Sequence, residues 1–450
     1  MPPDPRETIS SAAARIRAGA VSSEELTAAA LARIDERNPV LNAFITVTAD
    51  LALEQAREAD REIAARGPRG PLHGIPVSLK DLVDVAGVPT TAASRVLRDN
   101  VAKADAVIVS RLREAGVVFL GKTNLHEFAF GTTSEDSAYG PVRNPHDTER
   151  SAGGSSGGSA AAVVDGLGYA SIGTDTGGSI RIPAAACGCV GLKPTFGELP
   201  CDGIVPLSWS LDHVGPITRS VGDAWLLYDA LRGAPRLVLP EHRVREPRPP
   251  RVGVLGGYFT ELLAPDVRAG FDAATRRLAD AGAPVERREI PGASRTPATY
   301  LRIQLPEATA YHAATLEREP DSYTPPVRSR LEMGRDVTAV QYVGARRDAV
   351  RLRAEVDGAL GGCDVLALPT LPILAPHLGS AGMELGGESL PVRTLMLRLT
   401  QLFDVTGHPA ISLPCAVAAH GLPVGLQLVG RLDATPAVLR AASWCESVLW

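Results

Sequence analysis

Two glycine-rich segments present serines whose setting could support nucleophilic chemistry, Ala152 to Ser159 (AGGSSGGS) and Gly173 to Arg181 (GTDTGGSIR). A serine hydroxyl is a poor nucleophile until a base takes its proton. In the second segment Gly177 and Gly178 immediately precede Ser179, which is expected to open a helix. Such a turn aims successive backbone N–H groups at one point, an arrangement that suits an oxyanion. No histidine stands nearby in sequence. Lys80 does end an apolar stretch, VSLK, and a lysine desolvated there has its pKa lowered into the range of a base.

Other readings of the same residues stay open at this level. A flexible linker would continue into polar sequence, whereas the helix-forming run AAAVV follows GGSSGGS at once. A phosphate cradle needs a Walker lysine or a well-placed Gly-x-Gly-x-x-Gly, and neither follows. Gly153-Gly154-Ser155-Ser156-Gly157 matches the Gly-x-Ser-x-Gly nucleophile elbow, with Asp404 and His408 or His420 as downstream partners. In 44 glycines that pattern is weak, and no spacing singles those partners out. Taken alone, Lys80 is a solvated strand-end charge, Ser155 and Ser156 are turn residues, and Asp175 with Arg181 is a structural ion pair.

The elements that must position these residues alternate. Ser22 and Glu25 form a capping box ahead of LTAAALARI, a helix expected to end at Asn38-Pro39. A second helix, LALEQAREADREIAAR, stops at Gly67-Pro68. Val77-Ser78-Leu79 is a short strand that delivers Lys80, Ala106 to Ala115 is helical, and VVFLG is a buried strand. Further strands are expected at RVGVL, DVLAL, AISL and VGLQLV, with a helix near AVRLRAEV. The alternation predicts α/β architecture. Proline and arginine accumulate near residues 234–251, which is read as a surface connection within one large domain. No internal repeat is found.

Composition bounds the rest. The 450 residues carry 45% hydrophobic and 22% charged side chains, an ordinary globular balance. A net charge of -5 disfavours a broad nucleic-acid surface. The N-terminus MPPDPRETIS lacks an apolar signal region, and no apolar run is long enough to span a bilayer, so a cytoplasmic protein is expected. Six cysteines are too few for a disulfide scaffold, and Cys187 and Cys189 are expected to pack in a tight loop. No metal-ligand motif stands out, and no cofactor is expected.

With the motifs assembled, the sequence resembles the amidase-signature hydrolases. The matching stretches are GIPVSLKD around Lys80, AGGSSGGSAAAV around Ser155 and GTDTGGSIRIPAAACGCVGLKPT around Ser179. Lys80 and Ser155 are 75 residues apart, and Ser155 and Ser179 are 24 apart, as in the family. The likeness extends through KTNLHEFAFG, YGPVRNP, SLDHVGPITRSVGDA, DVLALPT and TGHPAISLPC to GLPVGLQLVG, nearly the whole chain. It implies an α/β fold with a large mixed central sheet covered by helices on both faces. The implied layout is a single domain over residues 1–450, with N-terminal helices over 1–66, a signature core over about 67–233 and a C-terminal half over about 251–450.

The resemblance also implies roles. Ser179 is the nucleophile. Ser155, after a cis bond from Gly154, relays a proton, and Lys80, neutral at rest, is the base and then the acid. The backbone N–H groups of Thr176, Gly177, Gly178 and Ser179 form the oxyanion hole, and Asp175 and Arg181 support the loop. An acyl-enzyme on Ser179 is then released by water, without cofactor or metal. The loop Cys201 to Asp212 is expected to border the pocket, with Trp209, Phe128, Gly131 and Thr132 as pocket candidates. These mostly apolar positions lead to an expectation of neutral amides, anilides or carbamates as small-molecule substrates, with activated esters also cleaved. The expected assembly is a monomer or homodimer, with no nucleic-acid or membrane partner. The rival within the family is the ammonia-producing chain of a glutamine-dependent tRNA amidotransferase, its A subunit. Against it stand QYVGARRDAV where that chain resembles YYDAYY, and Asp404 where it usually has asparagine.

Overall fold

The computed structural model describes residues 7–234, 237 and 248–450. Most of the proline- and arginine-rich connection expected near residues 234–251 lies outside the described residues. Fifteen strands are found among them. In chain order they are β1 (Phe44–Val47), β2 (Pro76–Lys80), β3 (Val118–Thr123), β4 (Arg143–Asn144), β5 (Asp147–Ser151), β6 (Ala170–Asp175), β7 (Val190–Lys193) and β8 (His213–Thr218). The second half adds β9 (Val252–Leu255), β10 (Val285–Arg288), β11 (Val365–Pro369), β12 (Gly382–Leu385), β13 (Glu388–Pro391), β14 (Ala410–Val417) and β15 (Pro423–Val429).

Eleven of these strands form one sheet in the order β1-β3-β2-β6-β8-β7-β14-β15-β11-β9-β10. β2 runs parallel to β3 and β6, while β6, β8, β7, β14 and β15 pair antiparallel in succession. The sheet is therefore mixed, and β7 joins β14 across the two halves of the sequence. Alternation along β3 shows what covers it. Val118 and Leu120 enter a core with Ala30 and Ile34 of the helix Ser23–Leu41 and with Ala160 to Val163 of the helix Gly157–Val164. Phe119, between them, enters the other core with Ile108 and Leu112 of the helix Val107–Glu114 and with Trp225. Successive strand side chains point to opposite faces, so helices lie on both.

The expected elements are present, with two differences. The capping box of Ser22 and Glu25 forms, but the helix continues through Pro39 to Leu41 and closes at Asn42, whose φ is 53°. In the last turn proline removes a single N–H, and its fixed φ suits the helix. Asn38, expected to stop the helix, instead bonds the backbone of Phe44 through both amide atoms and so sets the entry into β1. The helix after Ser179 begins at Arg181, two residues later than expected, for a reason that belongs to the site.

Candidate active site

Lys80 ends β2, every residue of which is buried between β3 and β6. The register pairs Leu79 with Ile172, which carries Lys80 alongside the Gly173–Thr174 end of β6. Lys80 Nζ lies 2.7 Å from Ser155 Oγ and 2.8 Å from Thr174 Oγ1. Burial pushes the lysine down to about 7, against the opposing pull of the Asp175 and Asp212 charges. At that value a large share of the side chain is free base near neutral pH, and both its partners are hydroxyls able to donate or accept.

The Gly154–Ser155 peptide is cis. A Cβ on Gly154 would stand 2.8 Å from the backbone of Thr132 and Thr133, so only glycine fits this approach. The Ser155 carbonyl accepts from the His126 N–H and from Ser134 Oγ. Ser156 stitches the two serine segments together. Its N–H donates to the Ser179 carbonyl at 3.2 Å and its hydroxyl to the Thr174 carbonyl at 3.2 Å. Lys80 and Ser155 are thus in hydrogen-bond contact beside the ends of β2 and β6, Ser179 is tied to the Ser155 segment through the Ser156 N–H, and all three residues are buried.

Asp175, at the end of β6, organises the turn that carries Ser179. Its carboxylate accepts from the N–H groups of Gly178 at 2.6 Å, Ile180 at 3.0 Å and Arg181 at 3.3 Å. It also accepts from Arg181 Nε and Nη2. These bonds hold residues 178–180 as a turn and delay the helix to Arg181. Burial alone would raise the Asp175 pKa, but the Arg181 charge and hydrogen bonds hold it well below the usual carboxylate range. Arg181 is anchored in turn by Asp404 Oδ2, Gln427 Oε1 and the Thr400 carbonyl, while Thr400 Oγ1 donates to the Gly177 carbonyl.

This geometry revises the expected oxyanion donors. The Gly178 N–H is committed to Asp175 and is not aimed at a substrate. Among the described residues no acceptor is found for the N–H groups of Thr176, Gly177 or Ser179.

A cavity of about 310 Å³ opens beside Thr174 and Thr176. The Cys201 to Asp212 loop supplies most of its wall, and Leu82 and Ala129 face it. Trp209, 55% exposed, lines it as expected. The other three pocket candidates sit elsewhere. Phe128, at a φ of 49°, is turned into a buried cluster against His312 and Tyr323. Gly131 lies against the His126 ring and Thr132 against Gly154, and neither lines the cavity. The elbow partners are apart as well. His408 bonds Thr406 and Asp357, and His420 is exposed between β14 and β15.

Comparison with known proteins agrees with the sequence likeness. The profile of the Amidase family matches residues 25–436. The chain belongs to the Amidase family. A crystal structure of an amidase superposes with a TM-score of 0.93 at 38% identity, covering 99% of this chain and all of the other. The amidase of Pseudomonas putida is 37% identical over 99% of this chain and 97% of its own. The A subunit of the glutamyl-tRNA(Gln) amidotransferase of Moorella thermoacetica is 38% identical over 94% of this chain and 92% of its own.

Several residues of the site escape motif reading. Thr174 reaches Lys80 only through sheet pairing. Asp212 accepts from Thr176 Oγ1 at 2.6 Å, a link between the pocket loop and the Ser179 turn, and burial pushes its carboxyl up to about 6. Thr400, Asp404 and Gln427 stand more than 200 residues beyond Arg181 in sequence. The only trace of Asp212 in the sequence is its place in SLDHVG.

Proposed function

We propose that this chain is a self-sufficient hydrolase that cleaves the C–N bond of amides, anilides or carbamates, and activated esters, through an acyl-enzyme on Ser179. The observation that carries the reading is the buried Lys80 Nζ, 2.7 Å from Ser155 Oγ. A lysine held near 7 by burial takes a proton from Ser155, and Ser155 takes one from Ser179 as that hydroxyl attacks the carbonyl carbon. The oxyanion that forms is met by the N–H groups of Thr176, Gly177 and Ser179. When the C–N bond breaks, the proton returns from Lys80 through Ser155 to the leaving nitrogen. Water then attacks the acyl-enzyme by the same relay, and the acid departs. Asp175 and Arg181 keep the turn in register for both steps.

The second reading, the glutamine-using chain of an amidotransferase, is favoured by the likeness to the Moorella protein. The two separate in one assay of the purified chain alone. Matched 4-nitroanilide, 4-nitrophenyl ester and aryl carbamate substrates are set beside glutamine, with Ser179→Ala as blank. Turnover of the anilide or carbamate that vanishes in Ser179→Ala supports the hydrolase. Silence on all three, with ammonia released from glutamine only when partner chains are added, overturns it.

A further inference from the structure

The Ser179 turn has a second flank, opposite in character to the cavity wall. A Cβ built on Gly177 would stand 2.8 Å from Tyr300 Oη and 3.1 Å from Leu397 Cδ2. Leu397 ends the short helix Val392–Leu397, and Arg393 lies four residues earlier on the same face. Side chains at that spacing are about 5–6 Å apart, so Arg393 stands one turn from the leucine that packs on Gly177, two residues before the nucleophile. Arg393 is half-buried, and burial pushes its guanidinium down from its ordinary value against the opposing pull of the nearby Tyr300. Arg393 Nε is buried without a hydrogen-bond partner, and among the described residues no carboxylate pairs with this arginine.

Its surroundings do not compensate it. The neighbouring cation Arg330 donates to the Phe130 carbonyl at 2.6 Å and is pushed down to about 10 by burial and by repulsion from Arg393. Asp136, the carboxylate on that side, is engaged by His126 Nε2 at 3.0 Å. Gln304, one turn beyond Tyr300 on its helix, is fully buried with neither amide atom bonded. A desolvated guanidinium without a counter-ion is costly, and a bound anion relieves that cost.

We propose that Arg393 is a substrate-recognition residue that binds a carboxylate on the substrate, a few atoms from the scissile carbonyl. The planar fork of a guanidinium matches a carboxylate by two parallel hydrogen bonds, which also orients the carbonyl toward Ser179. This rests on the hydrolase reading and names its substrate class. It reverses the expectation of neutral substrates, which weighed apolar pocket positions and did not include this face.

The test compares butyryl- and succinyl-4-nitroanilide, equal in length and differing by a terminal carboxylate. Calorimetric binding to Ser179→Ala protein is measured beside wild-type kinetics, so that recognition is read even if neither anilide turns over. The expected result is at least tenfold tighter binding of the succinyl compound and, where turnover occurs, a lower KM for it. In Arg393→Met that preference falls to about unity, and Arg393→Lys restores part of it. Equal binding of both compounds to the Ser179→Ala protein overturns the proposal, as does a preference that survives Arg393→Met. Circular dichroism and melting of the variants confirm that they are folded. Loss of turnover with the binding preference intact would count against the hydrolase reading and leave the subsite standing.

Discussion

Lys80 and Lys193 end two strands of one sheet, both fully buried, and burial pulls both down to about 7. Their partners differ. Lys80 faces two hydroxyls, Ser155 and Thr174. Lys193 faces the carbonyls of Pro194 and His408, at 3.2 and 2.7 Å, and His213 Nε2 at 3.1 Å. His213 Nδ1 lies against the carbonyls of Leu211 and Asp175, so it carries the ring proton and leaves Nε2 as an acceptor. Three acceptors around one amine favour an ammonium with all three protons engaged. Two hydroxyls around the other allow a neutral amine that accepts from one and donates to the other. Burial loosens the proton in both places, but only at Lys80 is there a group that can hand one over.

The sharpest break of that comparison is a pair of substitutions. Lys80→Ala is expected to lower kcat/KM by about 10⁴-fold while the protein stays folded, the scale typical for removing a base that acts as part of a unit. Lys193→Met should cost less than about tenfold in kcat/KM but lower the melting temperature by several degrees, because buried acceptors left unpaired cost about 1–3 kcal/mol each. Comparable activity losses in two folded variants would end the distinction. The wild-type pH profile carries the sign. Lys80 is free base above its pKa, so kcat/KM should rise through about pH 7 to an alkaline plateau and fall about tenfold per unit below it. Lys193→Met should leave the midpoint within a few tenths of a unit, and a rate that peaked in acid would remove Lys80 as the base.

The carboxylates around Arg181 differ in the same manner, by what they are asked to hold. Asp175 accepts from three backbone N–H groups and from Arg181, whereas Asp404 accepts from Arg181 Nη2 and its Oδ1 is unpartnered. Burial holds Asp404 well above the usual carboxylate range, so a neutral amide is a modest change there. Asp175→Asn leaves Arg181 short of its counter-ion and loosens the Ser179 turn. The expected cost is about 3–5 kcal/mol in stability and about 100-fold in kcat. Asp404→Asn should cost less than about tenfold in kcat, since an amide oxygen still accepts from Arg181. Denaturant melts and steady-state kinetics on both variants decide, and equal losses would show that the two carboxylates act as one unit.

How legible the site was in the sequence follows from how local each part is. Ser155, Ser179 and Lys80 stand in contiguous motifs, so the family likeness singles them out, although each taken alone also reads as a turn residue or a strand-end charge. Thr174 lies in the motif around Ser179, yet its bond to Lys80 exists only because β2 and β6 pair in one register. Gly178 carries a backbone N–H like its neighbours, and nothing in its motif reveals that Asp175 would claim it. Phe128 shares a motif with Gly131, but its positive φ directs the ring into the core. Arg393 lies on a short helix far along the chain, and its place one turn from Leu397, which packs on Gly177, follows from packing that sequence periodicity does not encode. Six strands of the sheet (β2, β3, β9, β11, β14 and β15) were legible in the sequence, whereas β1, β6, β7, β8 and β10 and the order across the two halves were not.

The smallest expected effect concerns how the cavity wall is held. Trp209 stands between Ser208 and Ser210. Glu307 accepts from Ser208 Oγ at 2.6 Å, from the Ser210 N–H at 3.2 Å and hydroxyl at 2.6 Å, and from Tyr342 Oη at 2.8 Å. Asp212 Oδ2 accepts from the N–H groups of Leu207 and Ser208. The loop is thus braced from both ends, while the Arg393 flank offers unspent hydrogen bonds. Glu307→Gln keeps the shape but exchanges one acceptor for a donor, so the serine hydroxyls must turn and the Ser210 N–H bond weakens. Loosening a wall acts on binding more than on chemistry. KM for aryl substrates should therefore rise about two- to fivefold, with kcat within about twofold of wild type. A fall in kcat with KM unchanged would instead place Glu307 in the chemical step, transmitted through Asp212 and Thr176 to the Ser179 turn.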